Sequence, residues 1–104
     1  MIKALTIICL FISYAFAADY IGLDVRTAGE LVSNPAPGAI HISISDLTRE
    51  SIKRLPKDKT IKIFCESGGR AGKAKHLLEA NGLSKVENIG SWREWNKLNN
   101  SNNK

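Results

Sequence analysis

The stretch that decides the fold is Thr60-Ile61-Lys62-Ile63-Phe64-Cys65-Glu66-Ser67-Gly68-Gly69-Arg70-Ala71. Residues 60–64 are the most strand-like run in the chain, because they are rich in β-branched and aromatic side chains. The run ends at Cys65, and a tight loop with two glycines then leads into a predicted helix over about residues 71–80. A strand that passes into a helix through a short loop is typical of a βαβ unit.

Further strands and helices alternate on both sides of this unit. We expect strands over residues 20–25, 39–42 and 86–89, a short helix opened by the capping box Thr27-x-x-Glu30, and a terminal helix after Ser91. Ser45 is predicted to cap another helix of about two and a half turns that stops at Pro56. This order predicts an α/β fold, a small and mostly parallel sheet flanked by helices on both faces. Ligands of such sheets bind beyond the carboxyl ends of the strands, where Cys65 lies.

Both ends of the chain are predicted to lie outside the folded domain. Lys3, an apolar stretch over residues 4–14 and the small-x-small triplet Ala15-Phe16-Ala17 follow the order of a cleavable export signal. Together with the triplet, the uncharged run is about 14 residues long, shorter than the roughly 18 of a spanning helix, which favours a signal over a stable membrane anchor. We expect a signal peptide over residues 1–17, one domain over 18–98 and a flexible polar tail over 99–104.

Composition narrows the class of function. The chain has 15 Lys and Arg against 10 Asp and Glu, and without Lys3 the balance is 14 against 10, a net charge of +4. Such a mild excess can attract anions, but it does not form a basic cluster with interleaved aromatics, so nucleic-acid binding is not expected. Since Cys9 lies in the predicted signal, the exported chain keeps Cys65 as a lone thiol, which favours a functional over a structural cysteine.

The loop after Cys65 has the composition of an anion cradle. Its residues are Glu66, Ser67, Gly68, Gly69, Arg70 and Ala71. Adjacent glycines let backbone N–H groups turn inward, and the helix start adds a partial positive charge. A thiolate is stabilised there, so Cys65 is predicted to be an acidic nucleophile that needs no general base. Arg70 either holds an anionic substrate or braces the loop.

Four segments resemble the motifs of rhodanese domains. Residues 65–71 resemble the active loop C-x-x-G-x-R-[AS], and Asp24-Val25-Arg26 resembles the D-V-R segment after the first strand. Pro37-Gly38-Ala39-Ile40 is similar to the P-G-A-I entry to the second strand, and Val86-Glu87-Asn88-Ile89-Gly90 with Trp95 to the V-x-N…G…W ending. The four segments together span almost the whole exported chain. In order and spacing they are most similar to those of single-domain periplasmic rhodaneses.

The resemblance implies sulfur transfer through a persulfide on Cys65, from a donor such as thiosulfate to cyanide or a thiol. It implies a periplasmic monomer, small anionic donors, and no metal or organic cofactor. Cys65 and Arg70 are then the catalytic residues and residues 66–71 the substrate-binding loop. Asp24 and Arg26 either support the site or form an ordinary strand-end ion pair. Glu66 departs from the family pattern, and its carboxylate is expected to repel dianions.

Two other classes of function remain open to the residues. Cysteine phosphatases and arsenate reductases also place a cysteine before an anion cradle and an arginine, but with C-x5-R spacing, whereas Cys65 and Arg70 have C-x4-R spacing. The shorter ring suits a single sulfur atom better than a tetrahedral phosphate. A non-catalytic sulfur carrier or binding module is the second alternative, and the presence of Cys65 with both loop glycines favours catalysis over it.

Overall fold

The computed structural model describes residues 19–102. The elements are β1 (Tyr20–Asp24), α1 (Ala28–Ser33), β2 (Ile40–His41), a 3-10 turn (Ile44–Asp46), α2 (Arg49–Lys53), β3 (Thr60–Cys65), α3 (Gly69–Ala80), β4 (Val86–Ser91) and α4 (Trp92–Asn102). The predicted signal peptide lies outside the described residues. Within residues 19–102, no helix has both the length and the apolar character that crossing a membrane requires.

The strands form one four-stranded, all-parallel sheet in the order β2-β1-β3-β4. This confirms the predicted α/β fold. Asp24, the last residue of β1, pairs in register with Phe64 of β3, and Cys65 pairs with Ser91 of β4. The carboxyl ends of the three longer strands therefore meet at one edge of the sheet, which is where ligands bind in sheets of this kind.

Helices cover both faces of the sheet, because side chains alternate along each strand. On one face the core is formed by Leu23, Val25, Leu47, Ile52, Leu55, Ile61, Ile63, Cys65, Ala71, Ala74, Leu78, Leu83 and Val86. On the other face it is formed by Ala36, Phe64 and Trp95, with partly buried neighbours such as Leu31 and Leu98. Thus α2 and α3 lie on the first face, and α1 and α4 on the second.

Trp95 organises the second face. Its ring stacks on Phe64 at 5.8 Å between centroids and meets Tyr20 edge-on at 5.9 Å. Its Nε1–H donates to the carbonyl of Pro37 at 2.9 Å, so the polar end of the buried ring is satisfied. A Cβ at Gly22 would lie 2.8 Å from the ring, which is why the strand carries a glycine there.

The segment after β2 differs from the prediction. Instead of one helix capped by Ser45, the 3-10 turn is followed by the separate short helix α2, whose N-cap is Thr48. The Thr48 hydroxyl accepts from the Ser51 N–H at 3.3 Å, and the Ser51 hydroxyl accepts from the Thr48 N–H at 2.9 Å. Side chains of this kind compete with the helix for backbone groups, and Thr48 starts the helix later. Leu55, just after α2, is buried.

The last helix extends beyond the predicted end of the domain. The predicted domain end at residue 98 falls inside α4, which continues to Asn102. Asn96 donates through Nδ2 to the carbonyl of Pro35 at 3.2 Å, and Asn99 to that of Pro37 at 2.8 Å. These bonds dock the helix on the loop before β2, so residues 99–102 of the predicted tail are helical.

Candidate active site

Cys65 is the last residue of β3 and lies at the base of the loop that leads into α3. The residue is only 1% exposed, and its Sγ accepts a hydrogen bond from the Gly68 N–H at 3.0 Å. We call residues 65–71 the cysteine loop. The loop therefore encloses the sulfur and leaves almost none of the residue exposed to solvent.

Opposing effects act on the pKa of Cys65. Burial is the largest single influence and raises it, because a buried thiolate loses hydration. The backbone N–H groups of Ala71, Gly68, Ser67 and Arg70 lower it, and their sum prevails, so the pKa lies below its ordinary value. A ring of amides at the start of α3 therefore stabilises the thiolate, as the sequence predicted.

Gly68 gives the cysteine loop its shape. Its φ of +107° and ψ of −14° lie in a region that side-chain-bearing residues rarely adopt. An added Cβ would also contact Gly90 Cα at 3.5 Å. Gly69 is already the first residue of α3. Its φ is not positive, and there is open space where a Cβ would lie. Of the two predicted loop glycines, only Gly68 has a conformation that requires glycine.

Asn88 joins the cysteine loop to β4. Its Nδ2 donates to the Gly68 carbonyl at 3.0 Å, and its Oδ1 accepts from the Gly90 N–H at 2.9 Å. The pairing with β3 is irregular here, since Ile63 pairs with Asn88 and Phe64 with Gly90, which leaves Ile89 as an extra residue. Irregularities of this kind next to a site redirect side chains, and this one aims the Asn88 amide at the loop.

Arg70 is held by Glu30. Its two terminal guanidinium nitrogens donate to the two carboxylate oxygens at 2.7 and 2.8 Å. Bonds from Arg70 and from the Thr27 backbone lower the pKa of Glu30 to about 2. Of the two roles left open for Arg70, the geometry fits the bracing role, because both terminal guanidinium nitrogens already donate to a carboxylate. Glu30 also completes the predicted capping box of α1 with Thr27.

Glu66 turns toward the start of α4. One carboxylate oxygen accepts from Trp92 Nε1–H at 2.8 Å, and the other lies 3.2 Å from an Arg93 guanidinium nitrogen. The Arg93 guanidinium stacks over the Trp92 ring at 4.5 Å from its centroid. Glu66, Trp92 and Arg93 together form a rim beside the cysteine loop.

Asp24 and Arg26 form a fully buried ion pair at the end of β1. The Arg26 Nε and NH2 groups donate to the two carboxylate oxygens at 2.9 and 2.8 Å. The remaining Arg26 NH1 donates to the Glu30 carbonyl at 3.4 Å, and its guanidinium carbon lies 5.7 Å from the centroid of Trp92. Arg26 therefore touches the two residues that hold Arg70 and Glu66, one at each end of the cysteine loop.

Sequence reasoning placed residues 66–71 after the strand end, but it began the following helix two residues too late, and it missed the residues that hold the loop. Glu30 was interpreted only as part of a capping box, and Asn88 only as one position of a motif. Trp92, the first residue of the last helix, was assigned no contact with the loop. The spacing of these residues along the chain carries no signal for their partners, because each bond joins segments that meet only in the folded sheet.

Comparison with known proteins agrees with this architecture. The sequence model of the rhodanese-like domain matches residues 16–98. Thiosulfate sulfurtransferase PspE of Escherichia coli K12 is 31% identical over 80 residues, which cover 76% of this chain and 76% of that protein.

Solved structures give the same result. A rhodanese-related protein from Thermoplasma volcanium superposes with a TM-score of 0.65 at 33% identity, covering 77% of this chain and 79% of that one. A rhodanese from E. coli, solved with anions, has a TM-score of 0.63 at 29% identity, covering 72% and 89%. The chain therefore belongs to the rhodanese-like domain family, a family of sulfurtransferases.

Proposed function

We propose that this chain is a sulfurtransferase that takes sulfane sulfur from a donor such as thiosulfate and carries it as a persulfide on Cys65. In the first step the Cys65 thiolate attacks the outer sulfur of a donor such as thiosulfate, the S–S bond of the donor breaks, and sulfite leaves with the electron pair. In the second step cyanide or a thiolate attacks the outer sulfur of the persulfide. Thiocyanate or a new persulfide forms, and Cys65 leaves as the thiolate.

The observation that carries the proposal is the ring of backbone amides around Cys65 Sγ. Both the resting thiolate and the terminal sulfur of a persulfide are anions of one atom, and inward N–H groups can stabilise each in turn. The lowered pKa of Cys65 means that its thiol ionises more readily than that of a free cysteine, which supports a first step without a separate base. When the donor reacts, the backbone N–H groups of the loop face the sulfur on which the negative charge of the persulfide develops.

Arg70 acts in this proposal as a positioning residue. Its bidentate pair with Glu30 fixes the first turn of α3, and thereby the direction of the Arg70 and Ala71 amides. Asp24 and Arg26 support the same loop indirectly, through the Glu30 carbonyl and the Trp92 ring.

We further propose that the chain is exported to the periplasm and acts there as a monomer on small sulfur compounds. The order of charged, apolar and small residues over residues 1–17 supports export.

Intact-mass spectrometry of the purified protein tests the mechanism. After thiosulfate treatment we expect a gain of one sulfur atom, which cyanide removes while an equal amount of thiocyanate forms. Cys65→Ser should show neither change and should keep a thermal midpoint close to that of the wild type. Sulfur transfer by Cys65→Ser would show that another nucleophile is used. Hydrolysis of a generic aryl phosphate by the wild type would favour the phosphatase class instead.

A further inference from the structure

The charges of the cysteine loop are already paired before a substrate arrives. Besides Cys65 itself, residues 65–71 carry two charged side chains, Glu66 and Arg70. Both terminal nitrogens of Arg70 are bonded to Glu30, so the charge of the loop's one cation is compensated. A dianion that approaches Cys65 therefore meets inward amides, but no uncompensated cation from residues 65–71.

Glu66 keeps much of its negative charge at this position. Trp92 fixes its carboxylate with a neutral N–H, which orients the group without cancelling its charge. Arg93 pairs with it, but the Arg93 side chain is 55% exposed and also donates to the Ser91 hydroxyl at 3.2 Å. Ion pairs this exposed are strongly screened by water, so the compensation is partial.

The Glu66 charge also reaches the interior of the loop. The pKa of Arg70 is raised chiefly by its bond to Glu30, and the charges of Cys65 and Glu66 contribute in the same direction. Glu66 directly follows Cys65 in the chain, and its charge acts on Arg70 although its carboxylate is bonded to α4. A negative group held rigidly beside a nucleophile discriminates between substrates by their charge.

We propose that Glu66, oriented by Trp92, is a specificity-determining residue that disfavours doubly charged sulfur anions and favours sulfur donors and acceptors with a positive group close to the sulfur. The inference rests on the proposed function, since it concerns substrates of the Cys65 persulfide. The chemical class it selects is the aminothiols and their persulfides.

The chemistry of discharge makes this selection measurable. The acceptor thiolate attacks the outer sulfur of the persulfide, the bond to Cys65 breaks, and the acceptor leaves as its own persulfide. Cysteamine and 3-mercaptopropionate are suitable probes, because each carries its charged group two carbons from the sulfur and the charges are opposite. The ammonium of cysteamine is attracted by Glu66, whereas the carboxylate of 3-mercaptopropionate is repelled.

Single-turnover discharge of the preloaded persulfide tests the proposal, with rates corrected for the thiolate fraction of each acceptor. We expect the wild type to prefer cysteamine, and Glu66→Gln to reduce the ratio of the two rate constants by about three- to tenfold. Glutamine keeps an oxygen that accepts from Trp92, so the change removes mainly charge. The same variant should raise kcat/KM for thiosulfate by a similar factor. High salt should shrink the wild-type preference.

Two controls separate Glu66 from its surroundings. Glu50→Gln removes an exposed carboxylate that pairs with Lys53 at 3.9 Å on α2, and it should leave the ratio unchanged. The double variant Glu66→Gln/Arg93→Gln should turn over thiosulfate faster than Arg93→Gln alone. If that gain is absent, Arg93 sets the selectivity and the proposal is wrong.

The outcomes distinguish this inference from the proposed function. A wild type that forms and discharges the persulfide, but with the same acceptor ratio as Glu66→Gln, would overturn the role of Glu66 and leave sulfur transfer intact. A wild type that never gains sulfur on Cys65 would overturn the proposed function, and the substrate selection with it.

Discussion

At the residue scale, the site depends on the backbone more than on side chains. Cys65 is almost fully buried, which by itself makes ionisation unfavourable, yet its pKa is lowered because several N–H groups converge on Sγ. Such an arrangement requires a chain reversal within three residues, and Gly68 provides it with a positive φ. The reactivity of the thiol is therefore a property of the loop conformation.

The two adjacent glycines give a matched pair of variants. Gly68→Ala should lower the free energy of unfolding by about 1–3 kcal/mol, because the backbone angles are strained for any residue with a Cβ. It should also reduce sulfur transfer by on the order of 10- to 100-fold, since the amide ring is displaced. Gly69→Ala should leave stability unchanged or raise it by up to about 1 kcal/mol, because alanine favours a helix.

Chemical denaturation and a thiocyanate assay on both variants provide the measurements. Equal losses of stability for the two substitutions would contradict the special role of Gly68.

At the element scale, α1 and the cysteine loop are coupled through one carboxylate. Glu30 caps α1 by accepting from the Thr27 N–H at 2.9 Å and at the same time binds both terminal nitrogens of Arg70. A short helix of six residues has little intrinsic stability, so this shared group stabilises the helix and the loop together.

Glu30→Gln separates these two roles, because glutamine at this position can still complete a capping box. We expect the variant to lose up to about 1 kcal/mol of stability, since the pair is one-third exposed and partly screened. Sulfur transfer should fall about tenfold, because Arg70 no longer fixes the loop. Thr27→Val, which removes the capping hydroxyl and leaves the Arg70 pair, should reduce stability with a smaller effect on activity.

The pH dependence of this variant follows from the lowered pKa of Glu30. A carboxyl whose folded pKa is about 2 instead of 4.5 stabilises the fold fully above the unfolded value, and that stability is lost as the pH falls through the folded value. The difference in thermal midpoint between wild type and Glu30→Gln should therefore shrink as the pH falls from about 4.5 toward 2. A difference that is constant over this range would show that the ion pair does not contribute.

At the scale of the whole molecule, the buried Asp24–Arg26 pair connects the sheet to both helices that hold the loop. Arg26 bonds to the Glu30 carbonyl and lies against the Trp92 ring, and its own backbone carbonyl is 2.7 Å from His41 Nε2 on the neighbouring strand. Removing one member of a buried pair leaves an uncompensated charge, which commonly costs about 3–5 kcal/mol. The site is thus built on the centre of the fold.

Export is the prediction that concerns the whole chain. We expect removal of residues 1–17, so that the mature protein begins at Ala18. N-terminal sequencing of protein from the exported fraction measures this directly. A variant with Ala15→Arg and Ala17→Arg, which destroys the small-x-small triplet, should accumulate as the uncleaved protein. A mature protein that begins at Met1, or one retained in the membrane, would contradict the prediction.

The sequence by itself determined the α/β class, the strand that ends at Cys65, the loop that follows it and the capping box of α1. Each of these depends on side-chain periodicity or on partners within a few residues, and such preferences are present before the chain folds. The predicted start of α2 was wrong because several neighbouring hydroxyl residues can each cap a helix and have similar local preferences for that position.

Only the tertiary structure decided which groups hold the cysteine loop. Arg70 bonds to Glu30, which is forty residues away in the chain, and Glu66 bonds to Trp92, which is twenty-six residues away. The sequence holds several other carboxylates and one other indole, that of Trp95, and spacing does not select among them. The parallel sheet brings these particular residues to one edge, because the ends of β1, β3 and β4 are fixed there by register.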